Sequence, residues 1–220
     1  MKLVKVFGLL TLFVTANCTD GSEHALALCA LADTSGTYSD QVGEVVDVLR
    51  KGVLPHMLPG DTLVVARVDD QSYRKENVTT AVTLDVRPSV ANAQKQQTAA
   101  ALATFAKAPH HARYTDIRGG ILLCSDYLKE TRAGHKAIIV FSDLLEELPR
   151  GTKRTLPPGE LAGVRLVAMN VKHLDADGRD PATYRARLAS WDAAAKASGS
   201  PEFRVVLEAD KLVDYLDELR

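Results

Sequence analysis

Short apolar runs without a polar face recur along the chain from residue 25 onward. Runs this short and continuous are typical of strands that are covered on both faces, as in a parallel sheet. They are "ALALCALA" (25–32), "TLVVARV" (62–68), "KAIIVFS" (136–142), "VRLVAMNV" (164–171) and "FRVVLEA" (203–209). The pattern predicts a buried β-sheet whose strands are spread over most of the sequence.

The segments between these runs have helical periodicity. Apolar residues at i, i+3, i+4 and i+7 mark one face of a helix that packs against a sheet. Val42, Val45, Val46 and Leu49 have this spacing, and Tyr184, Leu188, Trp191 and Ala195 follow the related pattern i, i+4, i+7 and i+11. Further helices are predicted around Ile121 to Leu128, in Leu212 to Leu219 and in the Ala-rich segment 90–108. Trp191 lies on an apolar stripe, which predicts a place in the core.

One strand candidate has a different pattern. Val82, Leu84 and Val86 alternate with Thr83 and Asp85, which is typical of a half-exposed strand at a sheet edge. The preceding connection "DDQSYRKENV" is too short for a helical crossover, so this strand is predicted to pair antiparallel with its predecessor. The predicted order β-α-β-β-α-α-β-α-β-α-β-α describes one doubly wound, mostly parallel α/β domain.

Composition agrees with a single globular domain. The 220 residues are 46% hydrophobic and only 5% aromatic, which predicts an aliphatic core. The formal net charge of -1, from 27 basic and 28 acidic residues, gives no general attraction to nucleic acid or to anionic lipid. We therefore expect no nucleic-acid partner.

The amino terminus has the outline of a signal peptide. Lys2 and Lys5 precede the apolar stretch Val6–Val14, which is too short to span a bilayer as a helix, and small residues follow up to Cys18. We assign residues 1–17 to the signal peptide, 18–23 to a linker and 24–220 to the domain. The sequence thus predicts an exported protein.

The segment that ends at Cys18 resembles the lipobox of bacterial lipoproteins, in which the cysteine is acylated after cleavage. Asn17 departs from that pattern, and cleavage after Ala16 would fit a soluble periplasmic or secreted product. We expect lipidation at Cys18, with the soluble form as the alternative. Cys29 and Cys124 both lie in apolar sequence, and two buried free thiols are favoured over a bridge between them.

Oxygen-bearing side chains follow two of the predicted strands. Asp33 ends the first apolar run within "DTSGTYSD", and Asp143 follows the run 136–142. Ligands of open parallel sheets bind beyond the carboxyl ends of the strands, so both carboxylates would face one crevice if these strands are neighbours. Ser39 or Asp40 is expected to cap the next helix, and Glu146 and Glu147 are expected on a solvated helix face.

These residues resemble the metal-ion-dependent adhesion site of the von Willebrand factor type A family. The family pattern D-x-S-x-S is matched by D-T-S-G-T, the distant Thr by the "T" of "YTDIRGGILL", and the last Asp by "FSD". The resemblance covers His24 to Arg220 and implies a sheet order of 3-2-1-4-5-6 with an antiparallel third strand. The implied metal ligands are Asp33, Ser35, Thr37, Thr115 and Asp143.

The resemblance implies a non-catalytic module that binds a protein partner through Mg²⁺ or Mn²⁺, with an acidic partner side chain in the open position. Two carboxylates and several hydroxyls are ligands that suit such a hard cation. A metal-free domain of the same fold is the first alternative. The second is a phosphohydrolase similar to haloacid dehalogenases with Asp33 as the nucleophile, although Ser35 stands where that family requires a second Asp.

Overall fold

The computed structural model describes residues 21–36, 38–110, 112–169 and 181–220. The predicted signal peptide 1–17, the lipidation candidate Cys18 and the metal-ligand candidate Thr37 lie outside the described residues. None of the helices in the described part of the chain combines the length and the apolar character that a membrane crossing needs.

Six strands form one sheet in the order β3-β2-β1-β4-β5-β6. All neighbouring pairs are parallel except β2 and β3, which run antiparallel. The strands are β1 Leu26–Asp33, β2 Thr62–Val68, β3 Val78–Thr83, β4 His135–Phe141, β5 Val164–Met169 and β6 Phe203–Val206. The predicted doubly wound α/β fold, its strand order and its antiparallel edge strand are confirmed.

Helices cover both faces of the sheet. They are α1 Val42–Asp47, which continues through a π-helical turn (Val48–Val53) into α2 Leu54–His56, then α3 Pro88–Lys107, α4 Ile117–Lys129, α5 Pro181–Ala197 and α6 Ala209–Glu218. Short 3-10 turns cover Gly21–His24, Ser39–Gln41 and Lys75–Asn77. All the helices predicted from the apolar periodicity listed above are present.

The predicted helix between β4 and β5 is wrong. Residues 142–163 are described throughout and contain neither helix nor strand. Pro149, Pro157 and Pro158 divide this segment, and proline removes a backbone donor and disfavours helix for the residue before it. The edge strand also begins earlier than predicted, at Val78, and β6 ends at Val206 because α6 begins only three residues later.

The core consists of two layers that the sheet separates. Along β1, Leu28 and Ala30 pack in the layer with α1, α3 and α6, whereas Cys29 and Leu31 pack in the layer with α4 and α5. Every residue of β1 is buried, because this strand is central and has helices on both faces. Asp33, the last residue of the strand, is thereby fixed at the carboxyl edge of the sheet.

The structure corrects the expectation of two free thiols. Cys29 on β1 and Cys124 on α4 form a disulfide with a Cα–Cα distance of 5.6 Å. Both residues are fully buried. The disulfide joins the strand that carries Asp33 to the helix that begins just after Thr115.

Candidate metal centre

The site begins where β1 and β4 end side by side. Ala32 is paired with Phe141 in the parallel register, so Asp33 at the end of β1 lies level with Ser142, the first residue after β4. The Ser142 hydroxyl donates to Asp33 Oδ2 at 2.6 Å. This hydrogen bond joins the two strand ends that the sequence pattern predicted to face one crevice.

The loop after β1 folds back on Asp33. The Ser35 backbone N–H and hydroxyl both donate to Asp33 Oδ1, at 2.9 and 2.6 Å. Ser35 also forms a short parallel bridge with Ala112, which brings the chain before α4 against this loop. Neither Ser39 nor Asp40 caps α1 as expected: the residue before the helix is Gln41, no side chain caps this helix, and the Ser39 hydroxyl donates to the Gly36 carbonyl. Thr37 lies outside the described residues.

Thr115 is held beside the loop that follows β4. Its backbone N–H donates to the Glu147 carbonyl at 2.7 Å, and the Glu147 N–H donates back to the Thr115 carbonyl at 3.1 Å. The segments that carry Asp33, Thr115 and Asp143 are therefore tied to one another by hydrogen bonds at one edge of the sheet. The sequence separates these three residues widely, and the fold brings them together.

Burial and like charge govern the electrostatics of the site. Asp33 is 1% exposed and Asp143 is 5% exposed. Burial raises the pKa of Asp33 above its usual range, hydrogen bonds from Ser142 and Ser35 offset part of that effect, and the negative charge of Asp143 raises it further. A divalent cation between two such carboxylates would relieve both the desolvation and the repulsion.

The donor set fits a hard cation and does not fit a soft one. Within the described residues, no group of three or more His, Cys, Asp or Glu side chains is arranged to hold a metal ion. The candidate site has two carboxylates, and its other donors are hydroxyls. Such oxygen ligands suit Mg²⁺ or Mn²⁺, which also retain water. The residues that could hold the ion are Asp33, Ser35, Thr115 and Asp143, with Thr37 as the undescribed fifth candidate.

Sequence reasoning missed a buried ion pair next to Thr115. Asp116 is fully buried, caps α4 by accepting from the Gly119 N–H at 2.9 Å, and accepts from both Nε and Nη2 of Arg154, at 3.2 and 2.8 Å. Arg154 belongs to the irregular segment 142–163. An aspartate just before a helix was recognisable as a cap, but its cationic partner 38 positions away was not.

Glu146 does not lie on a solvated helix face, contrary to the prediction. It is partly buried, accepts from the Arg118 N–H at 2.8 Å and forms an ion pair with the Arg118 guanidinium. Burial raises the pKa of Glu146, while its bonds to Arg118 act in the opposite direction. Glu147 is exposed at its side chain but paired with Thr115 through its backbone.

The turn after Asp143 has an unusual backbone. Leu144 adopts a φ of 62°, a left-handed conformation that residues other than glycine rarely take. The Ser142 hydroxyl accepts from the Leu144 N–H at 3.1 Å, and Asp143 Oδ1 accepts from the Leu145 N–H at 2.8 Å. The Trp191 indole N–H donates to the Leu144 carbonyl at 2.9 Å. Trp191 is a core residue, as predicted, and also a hydrogen-bond donor to this turn.

An open polar cavity of about 370 Å³ lies beside the site. Its lining includes Thr34, the neighbour of Ser35, and Ala112, which is bridged to Ser35. The lining also includes charged side chains from the connection between β2 and β3. The cavity is lined by Thr34, Arg67, Asp69, Asp70, Gln71, Arg74, Glu76, Asn77, Pro109, His110 and Ala112. The surface next to the candidate ligands is therefore concave and polar.

Comparisons with known proteins identify the fold. No family model and no curated protein matches the chain. Among solved structures, the pilus adhesin SpaC from Lactobacillus rhamnosus GG matches with a TM-score of 0.55 and 16% identity over 89% of this chain and 30% of that chain. A D319A mutant of the PilB minor pilin from Streptococcus sanguinis matches with a TM-score of 0.53 and 10% identity, over 89% and 60%.

A von Willebrand factor type A protein from Catenulispora acidiphila also matches, with a TM-score of 0.47 and 10% identity over 89% of this chain and 41% of that chain. This chain spans less than two thirds of each of these three solved chains, and identities this low speak only to the fold. The strand order with one antiparallel edge strand is the order that the sequence resemblance implied. The chain therefore has the doubly wound α/β fold of the SpaC and PilB structures, as the resemblance to the von Willebrand factor type A family implied.

Proposed function

We propose that this protein is a protein-binding module that holds Mg²⁺ or Mn²⁺ through Asp33, Ser35, Thr37, Thr115 and Asp143. The observation that carries the proposal is the junction of three distant segments at one sheet edge. Asp33 is bonded to Ser142, Ser35 is paired with Ala112, and Thr115 is paired with Glu147. A bound cation would offer a vacant coordination position to an acidic side chain of the partner.

The chemistry of the site supports a cation there. Burial is the main cause that raises the pKa of Asp33, and the negative charge of Asp143 adds a smaller effect in the same direction, so both effects disfavour the ionised form of Asp33. A divalent cation supplies the compensating charge. The hydroxyls of Ser35 and Thr115 add neutral oxygen donors, which suit a hard cation that keeps part of its water.

Structural likeness supports binding to protein at a cell surface. The solved structures with this fold include a pilus adhesin and a minor pilin. Disulfides persist in oxidising compartments, and the Cys29–Cys124 disulfide agrees with export. We accordingly propose an exported protein, anchored to the cell envelope through an acylated Cys18, with a soluble periplasmic or secreted form as the alternative.

Isothermal titration calorimetry with Mg²⁺ and Mn²⁺ tests the metal site. We expect binding by the wild type, and a loss of affinity of about ten-fold or more for both Asp33→Ala and Thr115→Ala. Asp47→Ala is the matched control, because Asp47 is an exposed carboxylate on α1 that pairs only with Lys51 among the described residues. The proposal fails if the wild type binds neither ion at millimolar concentration, or if Asp47→Ala weakens binding as much as Asp33→Ala.

One observation favours a metal-free module of the same fold as the second candidate. Both oxygens of Asp33 already accept short hydrogen bonds, from Ser35 and from Ser142. A carboxylate satisfied in this way can serve as a structural anchor without a cation. Capture of a partner on immobilised protein separates the two candidates: chelator abolishes capture by a metal-dependent module and leaves capture by a metal-free one unchanged.

No catalytic role is proposed. The phosphohydrolase alternative needs a second carboxylate two residues after Asp33, and Ser35 supplies only a hydroxyl there, which donates to Asp33 itself. A phosphatase assay on the wild type and on Asp33→Asn tests this directly. Turnover by the wild type that disappears in the variant would revive the hydrolase alternative.

A further inference from the structure

The turn that carries Asp143 is enclosed by two side chains from different helices. Trp191, on α5, is 4% exposed and donates its indole N–H to the Leu144 carbonyl at 2.9 Å. Arg118, in the first turn of α4, forms an ion pair with Glu146. The guanidinium of Arg118 also lies over the Trp191 ring, 4.5 Å from its centroid. Arg118 and Trp191 thus contact each other as well as the turn.

These contacts fall where the backbone needs support. Leu144 is a buried residue in the left-handed region, and such a conformation persists only when its surroundings fix it from several sides. The indole N–H can only donate a hydrogen bond, and the Leu144 carbonyl takes no part in the hydrogen bonds of the sheet. The bond between them therefore gives each of these buried polar groups a partner. A change in this one turn would move Asp143, the preceding residue.

We propose that Trp191 and Arg118 are positioning residues that hold the Ser142–Glu147 turn in the conformation that places Asp143 at the metal site. The inference rests on the proposed metal-binding function. Neither residue supplies a ligand. Trp191 fixes the carbonyl next to Asp143, and Arg118 fixes Glu146, whose neighbour Glu147 is paired with Thr115. One device would therefore set the relative placement of two candidate ligands, Asp143 and Thr115.

The test compares three variants for two properties. Trp191→Phe removes the donor and keeps an aromatic ring under Arg118, and Arg118→Gln removes the charge that pairs with Glu146. Ser200→Ala is the matched control, because it removes a buried hydroxyl that donates to the Val164 carbonyl at 2.7 Å, away from the turn. The measurements are the Mn²⁺ dissociation constant from electron paramagnetic resonance, and amide hydrogen exchange of residues 144–147 in chelator.

We expect Trp191→Phe and Arg118→Gln to raise the Mn²⁺ dissociation constant about ten-fold or more, as changes to residues behind metal ligands generally do. Exchange of the turn amides should accelerate in both variants, and Ser200→Ala should change neither property. The inference is overturned if the turn amides of both variants exchange at the wild-type rate, or if exchange accelerates while Mn²⁺ affinity stays within two-fold of wild type.

Failure of the proposed function gives a different result. If the wild type binds no Mn²⁺, the proposed metal site is wrong. The hydrogen-exchange measurement then decides alone whether Trp191 and Arg118 hold the turn. Arg118→Gln keeps the measurement possible if Trp191→Phe does not fold, because the Arg118 side chain is only partly buried.

Discussion

Ser142 donates a hydrogen bond of 2.6 Å to Asp33, a residue 109 positions earlier in the chain, and so joins the ends of β4 and β1. The same hydroxyl accepts from the Leu144 N–H at 3.1 Å. The Ser142 hydroxyl therefore forms one hydrogen bond to the buried carboxylate and another to the strained turn. No motif singled it out, although it immediately precedes the candidate ligand Asp143.

Ser142→Ala should destabilise the protein by about 2–4 kcal/mol, because it removes a bond to a charged acceptor and leaves a buried backbone donor unsatisfied. Urea unfolding in the presence of chelator measures the change. Ser125→Ala is the matched control: Ser125 is also buried, and its hydroxyl donates to the neutral Glu160 carbonyl at 3.0 Å. The free energy of unfolding of the control should fall by only about 1 kcal/mol. Equal decreases in the two variants would show that the hydrogen bond to Asp33 stabilises the protein no more than the bond to a neutral carbonyl.

The sequence predicts the sheet well, because a strand that is buried on both faces appears in the sequence as a short apolar run. Each of the five continuous apolar runs overlaps one of the strands β1, β2, β4, β5 and β6, whereas the alternating run only partly overlaps β3. The segment 142–163 could not be predicted in the same way. This segment is held by hydrogen bonds to residues outside it, which are Thr115, Asp116, Arg118 and Trp191. The local pattern "DLLEEL" does not indicate these partners.

The candidate ligands illustrate the same limit. Asp33 and Asp143 could be assigned to one crevice, because the resemblance to the von Willebrand factor type A family implied a sheet order in which their two strands are neighbours. That Ser35 and Ser142 bond to Asp33 depends on loop conformations that the sequence does not specify. The disulfide is similar: the sequence shows two cysteines in apolar runs, but only the packing of α4 on β1 brings their Cα atoms to 5.6 Å.

Asp33→Asn should raise the free energy of unfolding at neutral pH in chelator, while it weakens metal binding. The pKa of Asp33 is raised by burial, so the charged form is penalised in the folded state. The contribution of the wild-type carboxyl is most favourable below its unfolded pKa of 3.8 and is lost as pH rises through the higher folded pKa. The advantage of Asp33→Asn should therefore shrink as pH falls from 7 toward 4.

Asp47→Asn supplies a control of opposite sign for that experiment. The pKa of Asp47 is lowered by its hydrogen bond to Lys51, so its contribution is present above pH 3.8 and is lost on acidification. Asp47→Asn should be slightly less stable than wild type at pH 7, and this deficit should shrink as pH falls. Thermal unfolding of the three proteins at several pH values gives both trends. An Asp33→Asn protein that is less stable than wild type at pH 7 would contradict the penalty on the buried charge.

Gly119→Ala should disrupt the start of α4. A methyl group at Gly119 would overlap the carboxylate of Asp116, which caps the helix and pairs with Arg154. Displacing a fully buried carboxylate from its cation costs about 3–5 kcal/mol. Gly43→Ala is the control, because nothing lies within 4 Å of the added carbon in α1, and this change should stabilise the protein by about 1 kcal/mol. Opposite signs in chemical unfolding are the expected result, and a neutral Gly119→Ala would show that Asp116 can move freely.

Reduction of the Cys29–Cys124 disulfide should lower stability strongly. The two residues are 95 positions apart, and closing a loop of that length reduces the entropy of the unfolded chain, a stabilisation of about 4–5 kcal/mol in the chain-entropy model. In that model the effect acts mainly on the unfolded state. Urea unfolding with and without a thiol reductant measures it.

The same disulfide should resist reductant while the protein remains folded, since both cysteines are fully buried between β1 and α4. Alkylation followed by mass spectrometry should find Cys29 and Cys124 unmodified in native protein treated with reductant, and both modified once urea is added. Cys29→Ala combined with Cys124→Ala is the control, and its stability should not respond to reductant at all. Rapid alkylation of both thiols in the native protein would show that β1 and α4 separate readily.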